Sequence, residues 1–67
     1  MISLTLNGQP HASPAGQSVS DLVEELQLVP ETLLIEHNGL ALLRSEWNDT
    51  RLHDGDRIEI LQVAAGG

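Results

Sequence analysis

The 67-residue chain contains no cysteine, no lysine, no phenylalanine and no tyrosine, and Trp47 is its sole aromatic residue. Without cysteine it has no disulfide framework and no thiolate metal site, and its three histidines, His11, His37 and His53, fall at no short ligand spacing. The usual supports of a domain near the lower size limit are therefore missing, and stability has to come from packing Leu, Ile and Val. One domain fits in this length, and no more. No apolar run approaches a membrane span and no charged-then-apolar leader precedes Ile2, so the expectation is a cytoplasmic protein, a setting with which the lack of cysteine agrees. Three arginines oppose ten acids, a formal net charge of −7. That balance argues against nucleic acid, whose phosphates need a basic face. It fits either a solubilising surface or docking onto a basic partner.

What is present falls into short periodic pieces. Ile2, Leu4 and Leu6 alternate with Ser3 and Thr5, the pattern of a strand with one buried face. Asn7-Gly8 is a type I′ hairpin signal, because both residues tolerate positive φ. The return strand, about residues 9–13, carries Pro10 and is followed by Pro14; neither donates to a ladder, which assigns this strand to a sheet edge. Ser18 is an N-cap before Val19, Leu22, Val23 and Leu26, one face of a helix with Asp21, Glu24 and Glu25 pointing outward. Asp21 stands where a capping box prefers Glu or Gln, so the box is read as imperfect, and Pro30 is expected to close the element.

Residues 33–37 read as a third strand with Leu33 and Ile35 inward, Asn38-Gly39 as a second turn, and residues 40–43 as a short return. His37 is expected to be structural or at the surface. Residues 44–51 are expected to be loop-like with at most one helical turn, Trp47 covering the end of the aliphatic core. Asp54-Gly55-Asp56 marks a turn, since the other ligands of a calcium loop are missing. In the final strand, residues 57–63, Ile58 and Ile60 share one face, whereas Glu59, Leu61 and Val63 share the other. Either that second face is covered too, or an exposed apolar patch lies beside the end of the chain. Two antiparallel strands, a helix and two or three further strands require one mixed sheet with the helix across one face, its first and last strands side by side in the middle.

Residues 1–63 are expected to form this domain, and Ala64-Ala65-Gly66-Gly67 a flexible tail. Glycine lacks a Cβ, so a Gly-Gly end can thread a channel too narrow for other residues and leaves its carboxylate unhindered. Once that carboxylate is adenylated, the Gly67 carbonyl is open to a thiol, persulfide or amine. A solvated tail or an expression scar has the same composition.

Taken together, the Asn-Gly hairpin, the helix opening at Ser18, Arg44-Ser45-Glu46-Trp47, the run from Leu52-His53-Asp54-Gly55-Asp56 to Ile60, and Gly66-Gly67 resemble the ThiS family of sulfur carriers across essentially the whole chain. The resemblance implies an α+β, ubiquitin-like β-grasp fold of four to five strands on one main helix. It further implies that the chain is not an enzyme and binds no stable cofactor. An E1-like adenylyltransferase of the ThiF type would consume ATP to adenylate the Gly67 carboxylate. A persulfide derived from a cysteine desulfurase would convert it to a thiocarboxylate, and a thiazole synthase of the ThiG type would receive the sulfur in thiamine biosynthesis. Ala64, Ala65 and Gly66, with Val63, Leu61 and Glu59, are the expected partner-binding residues. The molybdopterin carrier and carriers of other pathways share this fold and tail, although that carrier often has prolines before the tail and this chain has none there. An inert ubiquitin-like interaction domain and a protein modifier are the readings from other classes. The lack of lysine fits either compositional drift or protection of an activated end from self-acylation.

Overall fold

The computed structural model describes residues 1–63. Strands β1 (Ile2–Leu6) and β2 (Gln9–Ser13) form the first hairpin, and helix α1 (Val19–Glu25) follows. A 3₁₀ turn (Pro30–Thr32) leads into the second hairpin, β3 (Leu33–His37) and β4 (Leu40–Leu42). A longer 3₁₀ segment (Arg44–Asp49) then precedes β5 (Arg57–Gln62). The five strands make one sheet in the order β2-β1-β5-β3-β4. β5 runs parallel to β1, with Thr5 opposite Arg57, and antiparallel to β3, with Leu34 opposite Leu61. The first and last strands thus meet in the centre and β2, with Pro10, takes an edge, as the periodicity predicts. This is the β-grasp arrangement.

The two hairpins turn where Asn-Gly stands, Asn7 and Asn38 adopting φ of 49° and 52° and the glycines after them 81° and 85°. Each asparagine does a second job. The Asn7 carboxamide accepts from the Ile60 N–H at 2.7 Å and donates to the Ile60 carbonyl at 3.1 Å, extending the pairing of β5 past the end of β1. On the other side of β5, Asn38 Oδ1 accepts from the Arg57 N–H at 2.8 Å.

Helix α1 begins as expected at Ser18, and its capping box is complete: Ser18 Oγ accepts from the Asp21 N–H, and Asp21 Oδ2 accepts from the Ser18 N–H at 3.0 Å. The shorter aspartate reaches as glutamate would. The helix ends earlier than Pro30 implies. Gln27 takes φ of 57°, the Leu28 N–H bonds the Val23 carbonyl and the Gln27 N–H bonds the Glu24 carbonyl, which is a Schellman ending with glutamine in the position that glycine usually fills. Pro30 instead opens the following 3₁₀ turn, where its missing N–H costs nothing.

Leu4, Val19, Leu22, Val23, Leu33, Ile35, Leu52 and Ile58 form the buried core between sheet and helix, and Trp47 closes one end of it. Arg44 lies 5.3 Å from the Trp47 ring centroid and covers it from the outside. The stretch read as loop at 44–51 is more regular than expected, with six residues in 3₁₀ conformation. Glu46 accepts from the Leu43 N–H at its start.

Candidate functional site around the end of the last strand

Alternation along β5 decides what lies near its end. Ile58 is fully buried against α1 and Ile60 packs beside it. Glu59, Leu61 and Val63 turn to the outer face of the sheet, which no helix covers among the described residues. Leu61 is 60% exposed and Val63 39%. Of the two readings of this parity, the exposed patch is therefore the one the fold adopts. Register adds a residue that the sequence reading did not single out: Leu34, on β3 directly opposite Leu61, is 59% exposed. Its signal was the inward parity of Leu33 and Ile35, which leaves Leu34 facing out.

Beside this apolar pair two acids stand opposite each other, Glu36 on β3 and Glu59 on β5. The Arg57 Nε lies 3.5 Å from Glu59 Oε1, an exposed pair worth little to stability. Ala41 on β4 is opposite Glu36, and a shallow depression of about 460 Å³ is bordered by residues that include Leu34, Glu36, Ala41, Glu59 and Leu61. The outer face is thus an apolar centre with a carboxylate rim.

The backbone at the end of β5 is held from both sides. The Val63 N–H donates to the Thr32 carbonyl at 2.7 Å, and Asn7 holds Ile60 from the other side. Of the predicted site residues, Glu59, Leu61 and Val63 are brought together here; Ala64, Ala65, Gly66 and Gly67 lie outside the described residues.

At the opposite end of β5, the Asp54-Gly55-Asp56 turn is more than a reversal. Gly55 adopts φ of 86°, its N–H donates to the Ser3 carbonyl, and Asp54 Oδ1 accepts from the Ser3 N–H, docking the turn on the start of β1. Asp56 is buried and gathers three partners: His37 Nε2 at 2.9 Å, the His53 N–H at 2.8 Å and the Asn38 carboxamide at 3.1 Å. Burial by itself would raise its pKa. The bonds from His37, the His53 N–H and Asn38, with the charge of His37, outweigh it and hold the carboxyl below its ordinary 3.8. His37 is accordingly a structural histidine, as expected. The buried hub that it contacts was not legible, because nothing in the sequence ties residue 37 to residue 56.

The model of the ThiS family matches residues 4–67. The chain is 32% identical to the sulfur carrier protein ThiS of Escherichia coli, covering 98% of this chain and all of that one. It is 30% identical over 66 residues to a thiazole synthase of Magnetococcus marinus, and there it spans only 20% of the relative's length. The crystal structure of the thiamine biosynthesis protein ThiS from Geobacter metallireducens superposes with a TM-score of 0.85 at 32% identity, covering 98% of this chain and all of that one. A family match over nearly the full length, a full-length relative and a shared fold lead to one conclusion: the chain belongs to the ThiS family.

Proposed function

We propose that the chain is a sulfur carrier of thiamine biosynthesis that bears sulfur as a thiocarboxylate on Gly67. The observation that carries this reading is the full-length likeness to a sulfur carrier protein, on a chain whose sequence ends in Gly66-Gly67 four residues after Val63. An E1-like enzyme of the ThiF type transfers AMP from ATP to the Gly67 carboxylate. A persulfide then displaces AMP, and reductive cleavage of the resulting acyl disulfide leaves the thiocarboxylate. A thiazole synthase of the ThiG type accepts the sulfur. The Magnetococcus marinus relative supports that partner, since a segment similar to almost this whole chain occurs within a protein named thiazole synthase. In this scheme the chain is a co-substrate. It supplies an unhindered carbonyl and a docking face, and the acid, base and nucleotide site belong to its partners. The compartment is the cytoplasm, and among the described residues no helix is long and apolar enough to cross a membrane.

The outer sheet face is the proposed grip. A tail of four residues offers little area, so affinity has to come from the folded body beside it, and Leu34, Leu61 and Val63 ringed by Glu36 and Glu59 suit a transient interface with a basic partner. Intact mass reads the chemistry. Incubated with a ThiF-type enzyme, ATP, a persulfide donor and a thiol reductant, the chain is expected to gain the difference between sulfur and oxygen, and the gain is expected to map to Gly67. No such species under conditions that load the Escherichia coli carrier overturns the proposal.

A further inference from the structure

An activated acyl group is attacked by whatever nucleophile reaches it first, and the nearest candidates are in its own chain. Lysine amines and cysteine thiols are the strong ones, and this sequence has neither; it has Arg44, Arg51 and Arg57, and a delocalised guanidinium is a poor nucleophile. The remaining nitrogen nucleophiles are three imidazoles, and the fold gathers them away from the exit of β5. His53 precedes β5, its backbone N–H bound to Asp56. His37 has its Nε2 tied to the same Asp56, seven residues behind Val63, or roughly 20 Å along the strand direction. His11 is opposite Leu4 on the outer strand, again at the level where β5 begins. Because β1 runs parallel to β5, with Thr5 opposite Arg57, the chain enters the sheet at Ile2 about 30 Å from Val63. Met1, the residue before Ile2, is therefore at that far end.

The four residues after Val63 span at most about 14 Å when fully extended, and less when folded back. Within that radius the described chain offers hydroxyls, such as that of Thr32, which donates to the Val29 carbonyl and is a weak nucleophile unless a base activates it. We infer that the parallel pairing of β1 with β5, together with the absence of lysine, keeps an activated Gly67 carbonyl from being captured by its own chain. The inference rests on the proposed function for its biological meaning, but its chemistry is independent of any partner enzyme.

The capture that the design prevents is simple aminolysis. An amine nitrogen forms a bond to the Gly67 carbonyl carbon, the bond from that carbon to sulfur or to the phosphate oxygen breaks, and thiol or AMP leaves as the ammonium proton passes to solvent. The test uses the full chain carrying a Gly67 thioester generated by intein cleavage, with no activating enzyme. Gln62→Lys places an amine at an exposed position beside the exit, and Ala12→Lys places one at an exposed position at the far end. Dilute, mildly alkaline solution and intact mass follow the thioester. Gln62→Lys is expected to yield a cyclic amide lighter by one water than the hydrolysed chain, at a concentration-independent rate on the order of tenfold or more above Ala12→Lys, because a short tether supplies millimolar effective concentration. The unsubstituted chain and Ala12→Lys are expected to hydrolyse without cyclising. Thioester loss in Gln62→Lys no faster than in the unsubstituted chain overturns the inference, as does equal cyclisation of Ala12→Lys. Failure of the carrier to be loaded by a ThiF-type enzyme, in contrast, strikes the proposed function and leaves this result standing.

Discussion

Asp56 shows how one residue can join two parts of a chain that sequence keeps apart. Its carboxylate satisfies His37 at the end of β3, Asn38 in the second turn and the His53 N–H in the turn before β5. Removing it leaves several donors facing a site from which water is largely excluded. Asp56→Ala is expected to lower stability by about 2–4 kcal/mol, read by urea unfolding at neutral pH. The same carboxylate makes a pH signature. Its folded pKa lies below the ordinary value, so between the two the unfolded state holds more protons than the folded one, and stability rises with pH there. The contribution is complete above the ordinary aspartate range and is lost as pH falls through the folded value. Asp56→Asn is expected to unfold with a shallower loss of stability over that acidic window than the unsubstituted chain. Identical slopes remove Asp56 as the source.

Helix α1 is held at both ends by side-chain and backbone chemistry, unequally suited to the task. The Ser18–Asp21 box satisfies its start, whereas its end places a glutamine at φ of 57°, a conformation that costs a residue with a Cβ on the order of 1 kcal/mol. Gln27 is exposed, so its side chain contributes little packing in return. Gln27→Gly is expected to stabilise the domain by about 0.5–1 kcal/mol, raising the thermal midpoint by several degrees in a chain of this size. A destabilised variant shows that the glutamine side chain does more than tolerate the turn. Strand β5 carries the opposite lesson, since its two faces serve different ends. Ile58 fills the core, and Leu61 on the other face is left in solvent at 60% exposure.

At the scale of the whole molecule, one sheet face builds the core, and the other, which no helix covers among the described residues, is the proposed docking face. Leu61→Ser separates the two roles. As an exposed position it is expected to change unfolding free energy by less than about 0.5 kcal/mol. As part of the proposed docking face it is expected to slow adenylation by a ThiF-type enzyme through a raised KM. Normal activation of a stable variant assigns docking to another face, and strong destabilisation returns Leu61 to the core. The net charge of −7 sets the accompanying salt dependence: if the partner presents a basic surface, association is faster at low ionic strength.

Much of this architecture is local in origin and so can be read from the chain. The alternation of Ile2, Leu4 and Leu6, the helical spacing from Val19 to Leu26, both Asn-Gly turns and the edge position of Pro10 are consequences of backbone geometry within a few residues. The opposed faces of β5 follow from the same period of two. Register is different, because it is a contact between distant segments. That Leu34 meets Leu61, that Glu36 meets Glu59, and that the Asn7 carboxamide pairs with Ile60 depend on how β5 inserts between β1 and β3. The closing of α1 at Gln27 ahead of Pro30 was likewise hidden, since propensity disfavours glutamine there and only the backbone bonds from Leu28 to Val23 and from Gln27 to Glu24 make it the stopping point. The sequence alone therefore determined the elements, their order and which side chains share a face. The tertiary structure decided which of those faces stays open and where the nucleophiles lie relative to the end of β5, because both depend on pairing across the sheet.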